Sequence, residues 1–124
     1  MEDKEMMKQI EGGVTAAKGF QAASAATAMK YQGRTDMALV YTEKPAVCAG
    51  TFTTNVVKAA PVLWDKELVD KGGAVHAVVL NSGIANACTG EEGMEYCQKT
   101  AETVEELLGV PTGQVLVAST GVIG

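Results

Sequence analysis

The sequence predicts a mixed α/β fold in which a sheet is layered with helices. Three observations predict it. Short apolar runs at Met37–Thr42, Ala74–Leu80 and Val115–Ala118 have the length and residue types of strands. Met94, Cys97, Ala101, Val104 and Leu108 recur every three or four positions, which is the stripe of an amphipathic helix. That helix lies between two of the strands, so Ala74 to Ala118 reads as strand–helix–strand. Such a crossover allows part of the sheet to be parallel.

The elements follow in order. Residues 1–11 alternate charges with Met6, Met7 and Ile10 and read as a flexible arm, closed by the Gly12-Gly13 turn. Phe20–Met29 is rich in alanine, and its small residues suit a strand buried tightly on both faces. Tyr31–Asp36 is a turn and Met37–Thr42 a strand. Glu43-Lys44-Pro45 is expected to turn the chain into a second strand, Ala46–Thr53, giving an antiparallel hairpin. Thr53, Thr54 and Asn55 gather small polar side chains at its end. Pro61 sits near the start of a short helix over Trp64–Val69, with Leu63, Leu68 and Val69 inward. Lys71-Gly72-Gly73 closes it.

Ala74–Leu80 is the clearest strand and is expected to end in the turn Asn81-Ser82-Gly83. Thr89 and Glu92 have capping-box spacing at the start of the long helix. Glu95, Gln98, Lys99, Glu102, Glu105 and Glu106 fall on its solvated side. Gly109 ends the helix and Pro111 prevents its continuation. The last strand, Val115–Ala118, is expected to break into Ser119-Thr120-Gly121.

At 124 residues the chain is read as a single domain, 1–124. Aromatic residues are only 5%, so the core must be built from Ala, Val, Leu, Ile and Met. The net charge of -5, with no Lys/Arg cluster, argues against a nucleic-acid partner. No apolar run is long enough to span a bilayer, and the charged N-terminus lacks the apolar segment of a secretory signal. A cytoplasmic protein without a membrane partner is expected. Cys48, Cys88 and Cys97 lack CxxC spacing and read as reduced thiols packed as small hydrophobes. With one histidine, His76, placed in a strand, no metal site is expected. No cofactor is expected either, because no Gly-rich phosphate loop with a lysine is present.

Two polar stretches follow buried strands: Asn81-Ser82-Gly83 and Ser119-Thr120-Gly121. If those strands are parallel neighbours, both stretches lie at the carboxyl edge of the sheet, where ligands collect. A strand that gives way to glycine exposes N–H groups, and oriented N–H groups beside a hydroxyl can hold a developing negative charge on oxygen. Asn81, Ser82, Thr53, Thr54 and Asn55 can all bind polar groups. On the residues alone, ordinary turn structure is the favoured reading of each of these stretches.

Four segments carry a resemblance. They are Gly12–Phe20 (GGVTAAKGF), Gly50–Val62 (GTFTTNVVKAAPV), Asn81–Gly90 (NSGIANACTG) and Ser119–Gly124 (STGVIG). Together and in this order they resemble the N-terminal part, the α chain, of the bifunctional ornithine acetyltransferase / glutamate N-acetyltransferase family of arginine biosynthesis. The resemblance implies a fold like that of N-terminal-nucleophile enzymes. It implies a precursor that cuts itself autocatalytically into α and β chains, assembled as an α2β2 heterotetramer. The β chain would begin with the threonine nucleophile that moves an acetyl group from N-acetylornithine to glutamate. Some members also take acetyl-CoA as donor. Thr120 and Gly121 match the Thr-Gly pair of the family's oxyanion hole. Ile84 stands where many members carry asparagine, and Ala16 where proline is usual.

The family's self-cleavage site lies beyond Gly124, so the chain is expected to be an incomplete α chain and inactive alone. An internal Thr120 lacks the free α-amine that would make it a nucleophile. Two other readings stand beside the transferase. One is a subunit of an N-terminal-nucleophile-type hydrolase or aminopeptidase. The other is a non-catalytic structural or ligand-binding fragment.

Overall fold

A computed structural model describes residues 6–124. A 3-10 turn, Val14–Ala16, precedes strand β1 (Phe20–Ala25) and strand β2 (Met37–Ala46). Helix α1 (Ala60–Asp70), strand β3 (Val75–Ile84), helix α2 (Gly90–Leu108) and strand β4 (Val115–Val122) follow. The strands form one sheet in the order β1-β2-β3-β4. The β1–β2 and β2–β3 pairs are antiparallel and β3–β4 is parallel, so the sheet is mixed as expected.

Side chains alternate across the sheet. Val75, Ala77 and Val79 of β3 and Val115 and Val117 of β4 point to the face covered by the helices. There they form a core with Ala60 of α1, Cys97 and Ala101 of α2, and Val110. Aliphatic side chains dominate this core because the sequence offers few aromatics. The opposite face carries Val40, Val78, Leu80, Leu116 and Ala118. None of these is fully buried, and Leu80 is 37% exposed. The described residues place no helix over it.

Several elements depart from the sequence expectation. No hairpin joins Met37–Thr42 to Ala46–Thr53. The chain does not turn at Glu43-Lys44-Pro45 but stays extended, and residues 47–59 contain neither helix nor strand. Both edges of β2 are already occupied, by β1 on one side and β3 on the other. Pro45 is tolerated because it falls where the register slips between Tyr41 and Ala46, so its missing N–H interrupts no regular ladder. β1 is shorter than expected and open to solvent beyond Phe20, not buried on both faces.

β3 and β4 both run through the polar stretches that were expected to be turns. Ser82 donates its N–H to the Asp36 carbonyl at 2.8 Å, and the register continues to Ile84↔Val122. A strand persists wherever its backbone finds partners, whatever its side chains.

The helices also differ in detail. α1 begins at Ala60, earlier than expected, with Pro61 in its first turn. Its inward line is Ala60, Trp64 and Leu68, whereas Leu63 is exposed. Thr89 is the N-cap of α2 but makes no capping bond; its hydroxyl donates to Asn86 Oδ1 at 2.7 Å. Glu92 instead accepts from the Tyr96 hydroxyl. Glu105, expected in solvent, is buried, and its carboxylate accepts the Gly113 N–H at 3.1 Å. It thereby ties the end of α2 to the turn that launches β4. Gly109 ends α2 in the left-handed conformation, as expected. The arm expected over residues 1–11 falls partly outside the described residues; residues 6–11 carry no helix or strand.

α1 also holds the outer edge of β4. The Trp64 indole N–H donates to the Val115 carbonyl at 3.1 Å, and Asp65 Oδ1 accepts the Val117 N–H at 2.9 Å. Burial pushes the Asp65 carboxyl up to about 6, against the lowering effect of the Val117 bond. A carboxyl raised above its unfolded value binds its proton more tightly in the folded state. Its stabilising contribution is therefore complete below about pH 4 and lost as pH rises through 6. Asparagine can accept the same N–H without a charge. Asp65→Asn is thus expected to gain thermal stability relative to the parent as pH rises from 4 to 7. Paired melting curves across that range test it, and a constant difference would refute the assignment.

Candidate functional site

The carboxyl halves of β3 and β4 lie side by side, with Asn81↔Ser119, Ser82↔Thr120 and Gly83↔Gly121 in register. The sequence expectation that the two stretches share one sheet edge is met, but as paired strands and not as turns. In a parallel ladder, alternate residues present their N–H and C=O to opposite sides. The bonds from α1 to Val115 and Val117 show that this parity faces away from β3. Val122, whose carbonyl accepts the Ala85 N–H, has the other parity. The backbone of Thr120 is therefore engaged with β3. Ser119 and Gly121 fall on the outward parity, at an edge no further strand occupies among the described residues.

Thr120 is exposed, and its side chain lies on the uncovered face with Leu80, Ser82 and Ala118. Together with Asp36 and Ala38 these residues line a cavity of about 360 Å³. Ser119 and Asn81 point to the helix face, where the Ser119 hydroxyl donates to Asn81 Oδ1 at 2.6 Å. Asn81 Nδ2 donates to the Ile84 carbonyl at 3.1 Å. The Asn81 amide therefore braces the two strands. Both residues border a second cavity of about 330 Å³ between sheet and α2.

Gly83 and Gly121 lie against each other, with φ of 111° and 131°. A Cβ on Gly121 would come within 2.6 Å of the Ile84 nitrogen and closer still to the Gly83 carbonyl. No side chain fits at Gly121, so the strands approach closely only because that position is glycine; a Cβ on Gly83 would instead meet Lys30 at 3.1 Å.

Asp36, placed in a turn by the sequence, has a larger role. Its carboxylate accepts the Thr27 N–H at 2.6 Å, the Thr27 hydroxyl at 2.8 Å and the Met29 N–H at 2.9 Å. These bonds, the Thr27 N–H foremost, hold its carboxyl below the usual range. Asp36 thus folds the β1–β2 loop against the carboxyl end of β3, and Lys30 of that loop packs on Gly83. The signal available in sequence was a lone acidic residue directly before an apolar strand.

Asn86 was also undervalued. It is buried and left-handed, and its Nδ2 donates to the Gly93 carbonyl at 3.0 Å. Its own carbonyl accepts the Ala60 N–H at 3.1 Å, so it joins the starts of both helices.

Other candidates lie apart. Thr53, Thr54 and Asn55 are exposed; the Thr53 hydroxyl accepts the Asn55 N–H at 3.2 Å, and none of the three borders either cavity. His76 lies near the start of β3 with Nδ1 2.9 Å from the Thr42 carbonyl. Six residues of strand, about 20 Å, separate it from Ser82, too far to act as a base at Thr120. All three cysteines are free. Cys97 is packed in the core as expected, and burial, with the Asp65 charge beside it, pushes its thiol up to about 11. Cys88, by contrast, is exposed. Among the described residues no group of three His, Cys, Asp or Glu could hold a metal, and no helix is long and apolar enough to cross a membrane.

Because the Gly121 Cβ would strike backbone, Gly121→Ala is expected to force β4 away from β3 beyond Ala118. The expected loss is about 2–3 kcal/mol of stability, from strain and broken ladder bonds. Chemical denaturation of the intact protein would show it; a loss under about 0.5 kcal/mol, the scatter of ordinary surface changes, would contradict the close approach.

A model of the ArgJ family matches residues 21–124. The arginine biosynthesis bifunctional protein ArgJ of Gloeobacter violaceus is 52% identical over 115 residues, covering 93% of this chain and 28% of that protein. The chain thus spans less than a third of the length of that relative. The crystal structure of ArgJ from Bacillus halodurans aligns with a TM-score of 0.85 at 41% identity, over 91% of this chain and 59% of the other. Ornithine acetyltransferase from Mycobacterium tuberculosis, solved in complex with ornithine, aligns with a TM-score of 0.84 at 47% identity, over 90% and 61%. With more than four-fifths of its residues inside the family match and the same fold in two solved members, the chain belongs to the ArgJ family.

Proposed function

We propose that this chain is the oxyanion-holding part of an acetyltransferase of arginine biosynthesis that moves the acetyl group of N-acetylornithine to glutamate. The observation that carries the reading is the placement of Thr120 and Gly121. An exposed hydroxyl and an outward-facing glycine are adjacent on the edge strand, at the carboxyl end of the parallel pair. The ornithine bound to a relative agrees with the donor, because ornithine is what remains when the acetyl group leaves.

In the proposed reaction a nucleophilic hydroxyl attacks the acetyl carbonyl carbon of N-acetylornithine. The carbonyl π electrons move onto oxygen, and the resulting oxyanion accepts hydrogen bonds from the Thr120 hydroxyl and the Gly121 N–H. Collapse expels the ornithine amine, which takes up a proton, and leaves an acetyl ester. The amine of glutamate then attacks that ester through a second oxyanion in the same place; its collapse breaks the ester C–O bond, and the proton lost by the amine returns to the released threonine hydroxyl. The nucleophile belongs to a partner β chain beginning with threonine, whose α-amine serves as base. Thr120 itself donates its hydroxyl hydrogen bond and forms no covalent bond. Acetyl-CoA is an alternative donor of the same acyl group. The assembly is a cytoplasmic α2β2 heterotetramer formed after autocatalytic cleavage. The uncovered apolar face and the solvent-open β1 support such a partner, since an apolar sheet face is normally covered.

The test uses the intact enzyme with all its chains. Thr120→Ala is expected to lower kcat for acetyl transfer about 100-fold, or roughly 3 kcal/mol, with little change in KM. Thr120→Ser, which keeps the donor, is expected to retain most of the rate. An unchanged kcat in Thr120→Ala would remove Thr120 from the oxyanion hole.

A further inference from the structure

Among the described residues β4 has a neighbouring strand on one side only. An edge strand leaves every second N–H and C=O without a ladder partner. Over its first half two of those outward groups, the Val115 carbonyl and the Val117 N–H, are taken by two consecutive residues of α1. Trp64 Nε1 donates to the Val115 carbonyl at 3.1 Å across 51 residues of sequence. Asp65 accepts the Val117 N–H at 2.9 Å across 52.

We propose that Trp64 and Asp65 are positioning residues, a side-chain clamp in the place of a fifth strand that fixes the edge of β4 and so aims the outward groups that follow. The proposal rests on the reading of Thr120 and Gly121 as oxyanion donors. Val115, Val117, Ser119 and Gly121 share one parity, and the clamp occupies the first two positions only. Among the described residues the last two remain open where the proposed chemistry needs them. Four residues of strand, about 13 Å, join Val117 to Gly121, and a stiff strand carries any tilt along that length.

The clamp is itself anchored. The Ala60 N–H at the head of α1 bonds the Asn86 carbonyl at 3.1 Å, just after β3. Trp64 also packs on the core. The edge of β4 is thus referred, through α1, to the end of the strand that pairs with Gly121. A displacement of about 1 Å at a reacting group can cost about 100-fold in rate.

The experiment compares Asp65→Ala, Asp65→Asn and Trp64→Phe in the intact enzyme, with the exposed Leu63→Ala as a control on the same helix. Two readouts are taken: amide hydrogen exchange along β4, and kcat and KM for acetyl transfer. Asp65→Ala and Trp64→Phe are expected to speed exchange at Val117, Ala118 and Thr120 about tenfold. They are also expected to lower kcat about 10- to 100-fold while KM stays within about twofold. Asp65→Asn keeps the acceptor and is expected to restore both, and Leu63→Ala is expected to change neither. Unchanged β4 exchange in Asp65→Ala would overturn the clamp, as would a kcat loss in Asp65→Asn equal to that in Asp65→Ala. If the parent enzyme transfers no acetyl group at all, the functional reading falls, and the exchange measurement alone still decides whether the clamp exists.

Discussion

The parallel pairing of β3 with β4 is the constraint on which the rest of this structure depends. Among the described residues β4 has a single neighbouring strand, so its position is set by that ladder, by the glycine contact at its far end and by α1 on its outer edge. Gly121 lets the two backbones approach at the carboxyl end, where a side chain at that position would wedge them apart. Trp64 and Asp65 satisfy the outer edge near the start. Between these two points the strand is held straight, and Thr120 and Gly121 come at its end with their side chain and backbone directed away from the core.

The sheet is built in two unlike halves. Its helix face is packed with aliphatic side chains, and two connections on that side are each secured by one buried polar residue. Asn86 joins the starts of α1 and α2, and Glu105 joins the end of α2 to the approach to β4. Asp36 does the same for the loop beside β3. Burying such groups is favourable only because each finds a backbone partner. The other face is apolar and uncovered among the described residues, and Thr120 lies on it. The two halves divide the work: one side supplies rigidity, and the other presents the groups available to a ligand or a partner.

Much of this was legible in the sequence and some was not. The stripe from Met94 to Leu108, the runs Ala74–Leu80 and Val115–Ala118, and the adjacency of the two polar stretches could be read from periodicity and order. These patterns are local, or follow from the short connections a strand–helix–strand unit permits. The hairpin after Pro45 could not have been excluded, because Ala46–Thr53 has strand-like composition. It stays irregular only because both sides of β2 are filled by segments distant in sequence. Glu105 lay in a run of acids that periodicity assigns to solvent, and its burial depends on where Gly113 arrives. Asp36 and Asn86 had the residue types of ordinary turns, and their multiple backbone bonds exist only once the loops are closed.

The sequence by itself determined the kind of structure: aliphatic strands, one amphipathic helix, caps and breaks, and the four segments, the Thr-Gly pair among them, that together carry the family resemblance. Those are properties of a residue and its near neighbours, set by side-chain size, backbone freedom and period. Tertiary structure alone decided that the polar stretches are strand and not turn, that Gly121 must be glycine, and that Asp65 rests on the edge of β4. Each of these depends on which distant backbone groups lie within hydrogen-bond or van der Waals reach, and that is fixed only when the whole sheet is assembled.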